Sequence, residues 1–271
     1  MKNVIYQYWD GNVKESCLAG SRNMKSYADR IGADYIFEDN PKFLKSRFGL
    51  DFGSYSPHYG AFKPIYDESF AEYDNVLFVD TDVFTIDGLT ENIFESFDAE
   101  IGICTEPSQP KRRQITLGRI TTEADEKWAS VVEKEYGIQV PRTDEGLMKV
   151  YNTGMVLYSK EGLQKARERF VPFQDYVNLI RPHGLPSFYN CDQPYLHAMM
   201  LACDFNWIEM DNNWNSYVFT TRDKEHDDRY NVDERTPDTK FVHVQLRGAD
   251  DWGEREHWNV VNLPRSQWGV E

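Results

Sequence analysis

The sequence contains 271 residues, of which 40% are hydrophobic, and it carries a formal net charge of −15. A chain of this length can build one large α/β domain or two small ones around a substantial core. The acidic charge disfavours nucleic acid or an anionic membrane as the main partner, since both are bound by basic surfaces, but it fits either a cation-binding enzyme or a merely solvated acidic surface.

The first predicted elements are a strand, a helix and a second strand. An apolar run predicts a strand over 4–8, apolar residues at helical spacing predict a helix over 15–31, and a second strand is expected over 34–37. This alternation is typical of a parallel, Rossmann-like sheet. We therefore expect an α/β fold.

The rest of the chain continues this alternation without an internal repeat or an evident linker. Residues 41–60 are rich in Gly, Ser, Pro and aromatic residues and are expected to be irregular. Further strands are expected over 76–79, 100–105, 155–158 and 241–244. Further helices are expected over 62–70, 123–136, 162–176 and 192–203. The simplest organisation is one domain over 1–271.

The termini and the cysteines bear on the compartment. The first residues lack the apolar segment of a signal peptide, and no run approaches the ~18 apolar residues of a membrane span. Cys17, Cys104, Cys191 and Cys203 form no CxxC pair, which favours reduced thiols over a disulfide framework or a zinc site. We expect a cytoplasmic protein without an integral membrane segment.

The clearest chemical signal is an acidic pair after a strand of buried type. Asp80 and Asp82 follow the unbroken apolar run 76–79, and open α/β sheets bind ligands beyond the carboxyl ends of their strands. Residues two apart in an extended segment point the same way, so both carboxylates can face one ion. Mg²⁺ and Mn²⁺ prefer such oxygen ligands. The alternative is a surface turn in which the aspartates cap the local backbone.

A phosphatase of the haloacid-dehalogenase type shares this local pattern, with a nucleophilic aspartate after a buried strand. Its motif requires Thr or Val at the fifth position, where this chain has Phe84, with Thr85 one residue too late. That motif also usually lies on the first strand, whereas here about 75 residues precede it. Asp250 and Asp251 are somewhat similar to a later acidic motif of those enzymes, so this reading stays as an alternative.

Several segments in one order resemble the GT-A glycosyltransferases, especially family eight, which includes glycogenin and bacterial lipooligosaccharide galactosyltransferases. They are Lys63-Pro64, the segment 73–84 with Asp80-Thr81-Asp82, Asn152-Thr153-Gly154, Asp192-Gln193, and His243 followed by Arg247-Gly248 and Trp252. The order and spacing hold from about residue 60 to residue 252. No single motif decides the resemblance, which depends on the ordered set.

Two segments depart from the family pattern. Ala249, Asp250 and Asp251 stand where the family has the Lys-Pro that precedes its Trp, so the usual diphosphate-binding lysine is missing and Arg247 is the candidate replacement. The first strand has 6–10 (YQYWD) where the family usually has a small residue and acidic contacts to the nucleoside. The base of the nucleotide is therefore left open, with UDP favoured by the resemblance.

The resemblance implies a GT-A, Rossmann-like nucleotide-diphospho-sugar transferase fold with a mixed, mostly parallel central sheet flanked by helices. Residues 1–105 would form the nucleotide-binding half, and 106–271 the half that binds donor sugar and acceptor. The implied reaction moves a hexose from a nucleotide-sugar to a hydroxyl of a carbohydrate acceptor, with Mn²⁺ or Mg²⁺ as cofactor and with retention at the anomeric carbon. A non-catalytic nucleotide-sugar- or carbohydrate-binding protein of the same fold is an alternative.

The resemblance also assigns roles to residues of this chain. Asp80, Asp82 and His243 would bind the metal, the alternative for His243 being a core histidine hydrogen-bonded at a strand end. Asp192 and Gln193 would be the catalytic residues beside the anomeric carbon, and Asp192 also suits a helix N-cap. The donor-binding candidates are Tyr8, Asp10, Lys63, Asp80, Thr81, Asn152, Gly154, Arg247 and Gly248.

Each donor candidate has a plain structural alternative. Lys63 could be an ordinary exposed lysine at a helix start, Asn152 a turn residue before a strand, and Tyr8 a core aromatic. The basic run 111–113 could fold over the diphosphate or be a solvated turn. The remaining candidates belong to the acceptor side: Trp207, Trp214 and Trp252 as a sugar-stacking wall, and Asp250 or Asp251 as a general base if the reaction inverts.

Overall fold

The structure is a computed structural model that describes residues 1–9, 11, 13–39, 59–114, 120–221, 231–247 and 253–268. Residues 41–60 were expected to be irregular, and 41–58 of this segment lie outside the described residues. Within the described ranges, no helix combines the length and the apolar character needed to cross a bilayer.

The chain begins with the predicted strand, helix and strand. These are β1 (Asn3–Trp9), α1 (Glu15–Ile31) and β2 (Asp34–Asp39), and β1 pairs with β2 in parallel. Helix α1 ends at Gly32, whose φ of 70° is the left-handed conformation that glycine adopts without strain. Gly20 within α1 allows a close approach to the sheet, because a Cβ there would lie 2.0 Å from the Thr81 carbonyl oxygen.

The central sheet has six described strands. The four besides β1 and β2 are β3 (Asn75–Val79), β5 (Ile101–Thr105), β6 (Tyr151–Ser159) and β7 (Trp207–Glu209). Their order is β2-β1-β3-β6-β5-β7, in which only β6 runs antiparallel to its neighbours. The predicted mixed, mostly parallel sheet is therefore confirmed.

A second sheet packs beside the first and was not predicted. Its strands are β4 (Val83–Thr85), β8 (Ser216–Thr221), β9 (Val232–Asp233) and β10 (Phe241–Arg247), in the order β4-β10-β8-β9. Only β10 had been expected, over its first four residues. Because β4 follows the acidic pair directly, the second sheet begins at the predicted metal site.

Helices cover the sheet, and two of them correct the sequence prediction. The described helices after α1 are α2 (Lys63–Tyr66), α3 (Gln109–Gln114), α4 (Thr122–Tyr136), α5 (Lys160–Arg169), α6 (Phe173–Ile180), α7 (Asp192–Ala202) and α8 (Glu254–Asn262). The single helix expected over 162–176 is wrong, because Pro172 lacks the N–H that would continue α5 and instead caps α6. The helix expected over 62–70 is α2 followed by a 3₁₀ turn, Glu68–Glu72.

The alternation of side chains along the strands builds a core on each face of the central sheet. Val76 and Phe78 of β3 join a large cluster with α4, α5, α6 and α7, whereas Leu77 and Val79 join a second cluster with α1. The large cluster connects β1 to α7 and so spans both predicted halves of the chain. The two-half division remains a prediction.

Candidate functional site

The site lies at one edge of the central sheet, where three strand ends meet. Asp80 follows the end of β3, and Glu106 follows the end of β5. Strand β6 runs antiparallel to both, so its first residues, including Asn152 and Gly154, lie at the same edge. The segment 152–154 therefore belongs to β6, so the structural alternative for Asn152, a turn residue before the strand, is wrong. A register shift in the β5–β6 pairing falls at this point.

Strand β10 brings the histidine to the aspartates from far along the sequence. His243 pairs with Val83 in the antiparallel β4–β10 ladder, and the Val244 N–H donates to the Asp82 carbonyl at 2.9 Å. The side chains of Asp80, Asp82 and His243 converge, with one potential ligand atom of each lying within 4.8 Å of the other two. The predicted ligand set is thus assembled by two sheets that meet at the acidic pair.

The state of His243 fits a metal ligand better than a core histidine. The residue is only 2% exposed, and neither ring nitrogen makes a hydrogen bond of good geometry. Its Nε2 lies 3.2 Å from Asp82 Oδ1. Buried polar atoms are almost always satisfied in proteins, and the contact with Asp82 leaves neither His243 nitrogen well aligned with a partner among the described residues, so an imidazole beside two carboxylates fits a bound cation. The three residues could hold a divalent metal through oxygen and nitrogen ligands, which suits Mn²⁺ or Mg²⁺ chemistry.

The pKa shifts of Asp80, Asp82 and His243 also fit a bound cation. Burial, and then the Asp82 carboxylate, raise the pKa of Asp80 well above its usual range. Burial acts to raise the pKa of Asp82 as well, but His243 outweighs it and holds that pKa low. Burial acts to lower the pKa of His243, yet the two carboxylates raise it to about 9. Two partly exposed acids and a buried imidazole that favours its proton lie together, and a divalent cation would supply the positive charge that the acids favour on displacing that proton.

Gly154 makes room for this convergence. A Cβ on Gly154 would lie 2.6 Å from His243 Cε1, 2.7 Å from Asn152 Oδ1 and 2.9 Å from Asp80 Oδ2. These distances are far inside van der Waals contact, so any side chain here would displace His243, Asn152 or Asp80. The close packing of Gly154 against two candidate metal ligands therefore explains the glycine of the predicted motif.

We predict that Gly154→Ala weakens Mn²⁺ binding at least about tenfold. Overpacking typically costs about 1–3 kcal/mol, and ~1.4 kcal/mol lost from the binding free energy corresponds to a tenfold weaker affinity. Isothermal titration with Mn²⁺ measures the affinity. Gly253→Ala is the matched control, because among the described residues a Cβ there would approach Glu256 Oε2, the far end of a flexible side chain, at 3.3 Å. Equal Mn²⁺ affinity in Gly154→Ala and the unchanged protein would contradict the role given to this glycine.

Most of the hydrogen-bonding groups of the Asn152 side chain are already used by neighbouring residues. Its Oδ1 accepts from the Gly154 N–H at 2.8 Å and from Asn215 Nδ2 at 3.1 Å, and its Nδ2 donates to Glu106 Oε1 at 2.7 Å. An asparagine amide has two donor hydrogens, so one N–H remains for a ligand. The contact of Asn152 with a donor sugar stays a prediction, now limited to that hydrogen.

Asp192 and Gln193 begin α7 and face the same edge. The Thr153 hydroxyl donates to Asp192, which is buried, and Gln193 Nε2 donates to Glu106 Oε1 at 3.2 Å. The helix N-cap is Cys191, so Asp192 occupies the first helical position and the expected N-cap is off by one residue. Their catalytic roles remain predictions.

Two site residues escaped the sequence prediction. Glu106 is buried and bridges Asn152 and Gln193 through one oxygen, and Asn215 is 2% exposed with an Oδ1 that has no hydrogen-bond partner. A signal for Glu106 was present, because it directly follows the predicted strand 100–105 and carboxyl ends of strands gather ligands. Asn215 lies at the start of β8, a strand that no pattern indicated.

Lys63 and Tyr8 are both more buried than we expected of residues that contact a donor. Lys63 is 4% exposed and ion-paired with Glu38, with Asp67 Oδ2 at 3.7 Å, so the alternative of an exposed lysine is wrong. Tyr8 is packed in the large core cluster. Contacts of either with a donor remain predictions. Thr81 is buried between the two aspartates of the site.

The remaining candidates divide into buried, partly exposed and undescribed residues. Arg113 is buried in α3 and ion-paired with Asp125, so the expected solvated basic turn is wrong for it. Trp214 is a core residue, while Trp207 is half-buried. Arg247 ends β10. The candidates outside the described residues are Asp10, Gly248, Asp250, Asp251 and Trp252.

The comparison with known proteins gives matches among solved structures. No protein-family model matches the chain, and no curated protein is similar to it in sequence. A glycosyltransferase involved in glycosylation of the major capsid of PBCV-1 matches with a TM-score of 0.50 and 13% identity over 96% of this chain and 98% of its own. Mouse xyloside xylosyltransferase 1 matches with a TM-score of 0.51 and 14% identity over 90% of this chain and 97% of its own.

The galactosyltransferase LgtC also matches, with a TM-score of 0.48 and 14% identity over 99% of this chain and 100% of its own. The first two structures match at full length and show the fold. The chain has the GT-A fold of glycosyltransferases, as the ordered motifs predicted. A fold hosts many activities, so the activity has to be argued from the site.

Proposed function

We propose that the chain is a metal-dependent glycosyltransferase that moves a hexose from a nucleoside-diphosphate sugar to a carbohydrate hydroxyl. The observation that carries the proposal is the convergence of Asp80, Asp82 and His243 at the carboxyl edge of a GT-A sheet, where neither His243 nitrogen makes a well-aligned hydrogen bond within the described part of the chain. Asp82 is 37% exposed on its side chain, so the metal side of the site is open to a ligand.

Asp80, Asp82 and His243 would hold Mn²⁺ or Mg²⁺. When bound, the cation neutralises charge on the diphosphate leaving group. The protein fixes these three ligands by backbone pairing in two sheets, so little reorganisation is needed when charge develops. In this proposal the diphosphate lies beside the acidic pair and the sugar extends towards β6 and α7.

The residues that would contact the sugar surround Glu106. Asn152 and Gln193 are held by its carboxylate, and Asp192 is held by Thr153. We assign Asp192 to the donor-sugar hydroxyls and Gln193 to the face of the ring on which a retaining enzyme stabilises positive charge. The resemblance to family eight favours retention and a UDP-sugar, and the acceptor is a hydroxyl of a glycan.

Of the two alternatives to this proposal, the fold disfavours the phosphatase but not the non-catalytic binding protein. A haloacid-dehalogenase-type phosphatase has a different fold with its motif on the first strand, whereas here β3 carries the acidic pair in a GT-A fold. A non-catalytic nucleotide-sugar-binding protein would share the fold and the metal site. Catalysis must therefore be tested separately from binding.

A thermal-shift screen of nucleoside diphosphates and nucleotide-sugars, with and without Mn²⁺, tests the proposal. A ligand at 100 times its dissociation constant stabilises the native state by about 2.7 kcal/mol, so the correct donor should raise the melting temperature only together with the metal. Slow hydrolysis of that donor without acceptor supports an enzyme. A Mn²⁺-dependent shift without any hydrolysis supports the binding protein, and no shift with any nucleotide contradicts both.

A further inference from the structure

A buried ion pair lies behind the start of α7, away from the metal ligands. Arg113 Nη1 of α3 donates to Asp125 Oδ1 of α4 at 2.5 Å, and both side chains are almost completely buried. The Tyr189 hydroxyl donates to the same carboxylate oxygen at 2.7 Å. The Arg113 guanidinium also lies 5.0 Å from the centre of the Phe188 ring. The pair thus contacts two consecutive residues of the turn that precedes α7.

A second chain of hydrogen bonds fixes the backbone of the same turn. Trp128 Nε1 of α4 donates to the Tyr176 hydroxyl at 2.8 Å, and that hydroxyl donates to the Tyr189 carbonyl at 2.9 Å. Tyr189 is therefore held by its side chain through Asp125 and by its backbone through Trp128. Asp125 and Trp128, the residues that start these two sets of contacts, both lie on α4, about one helical turn apart.

The turn leads directly into the residues assigned to the donor sugar. Ser187–Asn190 is a 3₁₀ turn, Cys191 caps α7, and Asp192 and Gln193 are its first two residues. A buried ion pair costs desolvation and is weak evidence for stability, so its retention calls for another reason. Misplacement of a catalytic group by about 1 Å can lower a rate about 10²-fold.

We propose that Arg113, Asp125 and Tyr189 are positioning residues that hold the start of α7, and with it Asp192 and Gln193, against the sheet edge. Arg113 and Tyr189 both donate to the Asp125 carboxylate, which in this way ties Tyr189 to α3 and α4. The catalytic consequence rests on the proposed function, whereas the mechanical hold does not.

Hydrogen–deuterium exchange of the Tyr189→Phe variant tests the hold. The Tyr189 and Cys191 N–H groups donate to Pro186 and Phe188 carbonyls, so their exchange reports opening of the turn. Losing a hydrogen bond to a charged group should speed exchange of a peptide covering 186–195 about tenfold or more. Unchanged exchange of this peptide would overturn the proposal.

Tyr6→Phe is the matched control for a general loss of stability. The Tyr6 hydroxyl donates to the Glu38 carboxylate at 2.9 Å, and Glu38 stays paired with Lys63 as Asp125 stays paired with Arg113. Exchange of the 186–195 peptide should stay at the unchanged protein's rate in this control. Equal acceleration in both variants would show a global effect and overturn the proposal.

Kinetics separate this inference from the proposed function. For a nucleotide-sugar hydrolysed by the unchanged protein, Tyr189→Phe should lower the hydrolysis rate at least about tenfold and leave Mn²⁺-dependent UDP affinity within about twofold. An equal fall in UDP affinity would overturn the positioning role. If the unchanged protein hydrolyses no nucleotide-sugar, the proposed function fails, while the exchange result still decides whether the network holds α7.

Discussion

Asp82→Ala is expected to abolish the Mn²⁺-dependent stabilisation by UDP and to lower donor hydrolysis about 10³-fold or more, since the metal supplies several kcal/mol of charge stabilisation. The Asp82 side chain is 37% exposed, so we expect the fold to stay intact when it is removed. A chain of this size should show a UDP and Mn²⁺ shift of roughly 5 °C before the substitution and none after it.

Asp29→Ala is the control for this experiment. Asp29 lies on the exposed face of α1, and its ion pair in the described part of the chain is with Lys25 at the surface, so the shift should persist in that variant. A full Mn²⁺-dependent shift in Asp82→Ala would show that the metal binds elsewhere. The convergence of the three side chains would then be incidental.

Glu106→Gln is expected to lower donor hydrolysis about 10²-fold while leaving Mn²⁺-dependent UDP binding unchanged. The carboxylate holds both Asn152 and Gln193 through Oε1, and a neutral amide accepts these bonds more weakly and presents a donor in place of Oε2. Steady-state kinetics beside UDP titration separates the two effects.

Glu100→Gln is the matched control, because Glu100 precedes β5 whereas Glu106 follows it. Glu100 lies at the opposite end of the strand, where its Oε2 is 2.7 Å from Lys165 Nζ. Glu100→Gln should therefore leave the rate of donor hydrolysis unchanged. If Glu106→Gln hydrolyses the donor at the rate of the unchanged protein, the carboxylate has no part in arranging the sugar site.

The sequence predicted those parts of the site that sit on strong local patterns. The apolar run 76–79 needs a sheet buried on both faces, and polar residues after such a strand must lie at its ligand-binding end, so Asp80 and Asp82 were placed correctly. The same reasoning placed α1 and β2, whose apolar spacing leaves little choice. His243 was joined to the aspartates by resemblance, because nothing local connects residues so far apart.

What the sequence could not predict depends on long-range pairing. Strands β4, β7 and β9 have two or three residues each, too few for a periodic pattern to appear. Strand β8 lies between β10 and β9 in the second sheet, which was not predicted, so the place of Asn215 stayed hidden. The burial of Lys63 and Arg113 follows from acidic partners on other elements, Glu38 and Asp125, and a basic residue alone does not reveal its partner.

A diffraction experiment at the manganese absorption edge, on crystals grown with Mn²⁺ and UDP, tests whether Asp80, Asp82 and His243 hold a metal. We expect one anomalous peak bonded to an oxygen of Asp80 or Asp82 and to a nitrogen of His243, with the diphosphate of UDP completing the coordination. A bound UDP without a peak between these side chains, or a peak ligated by other residues, would contradict it.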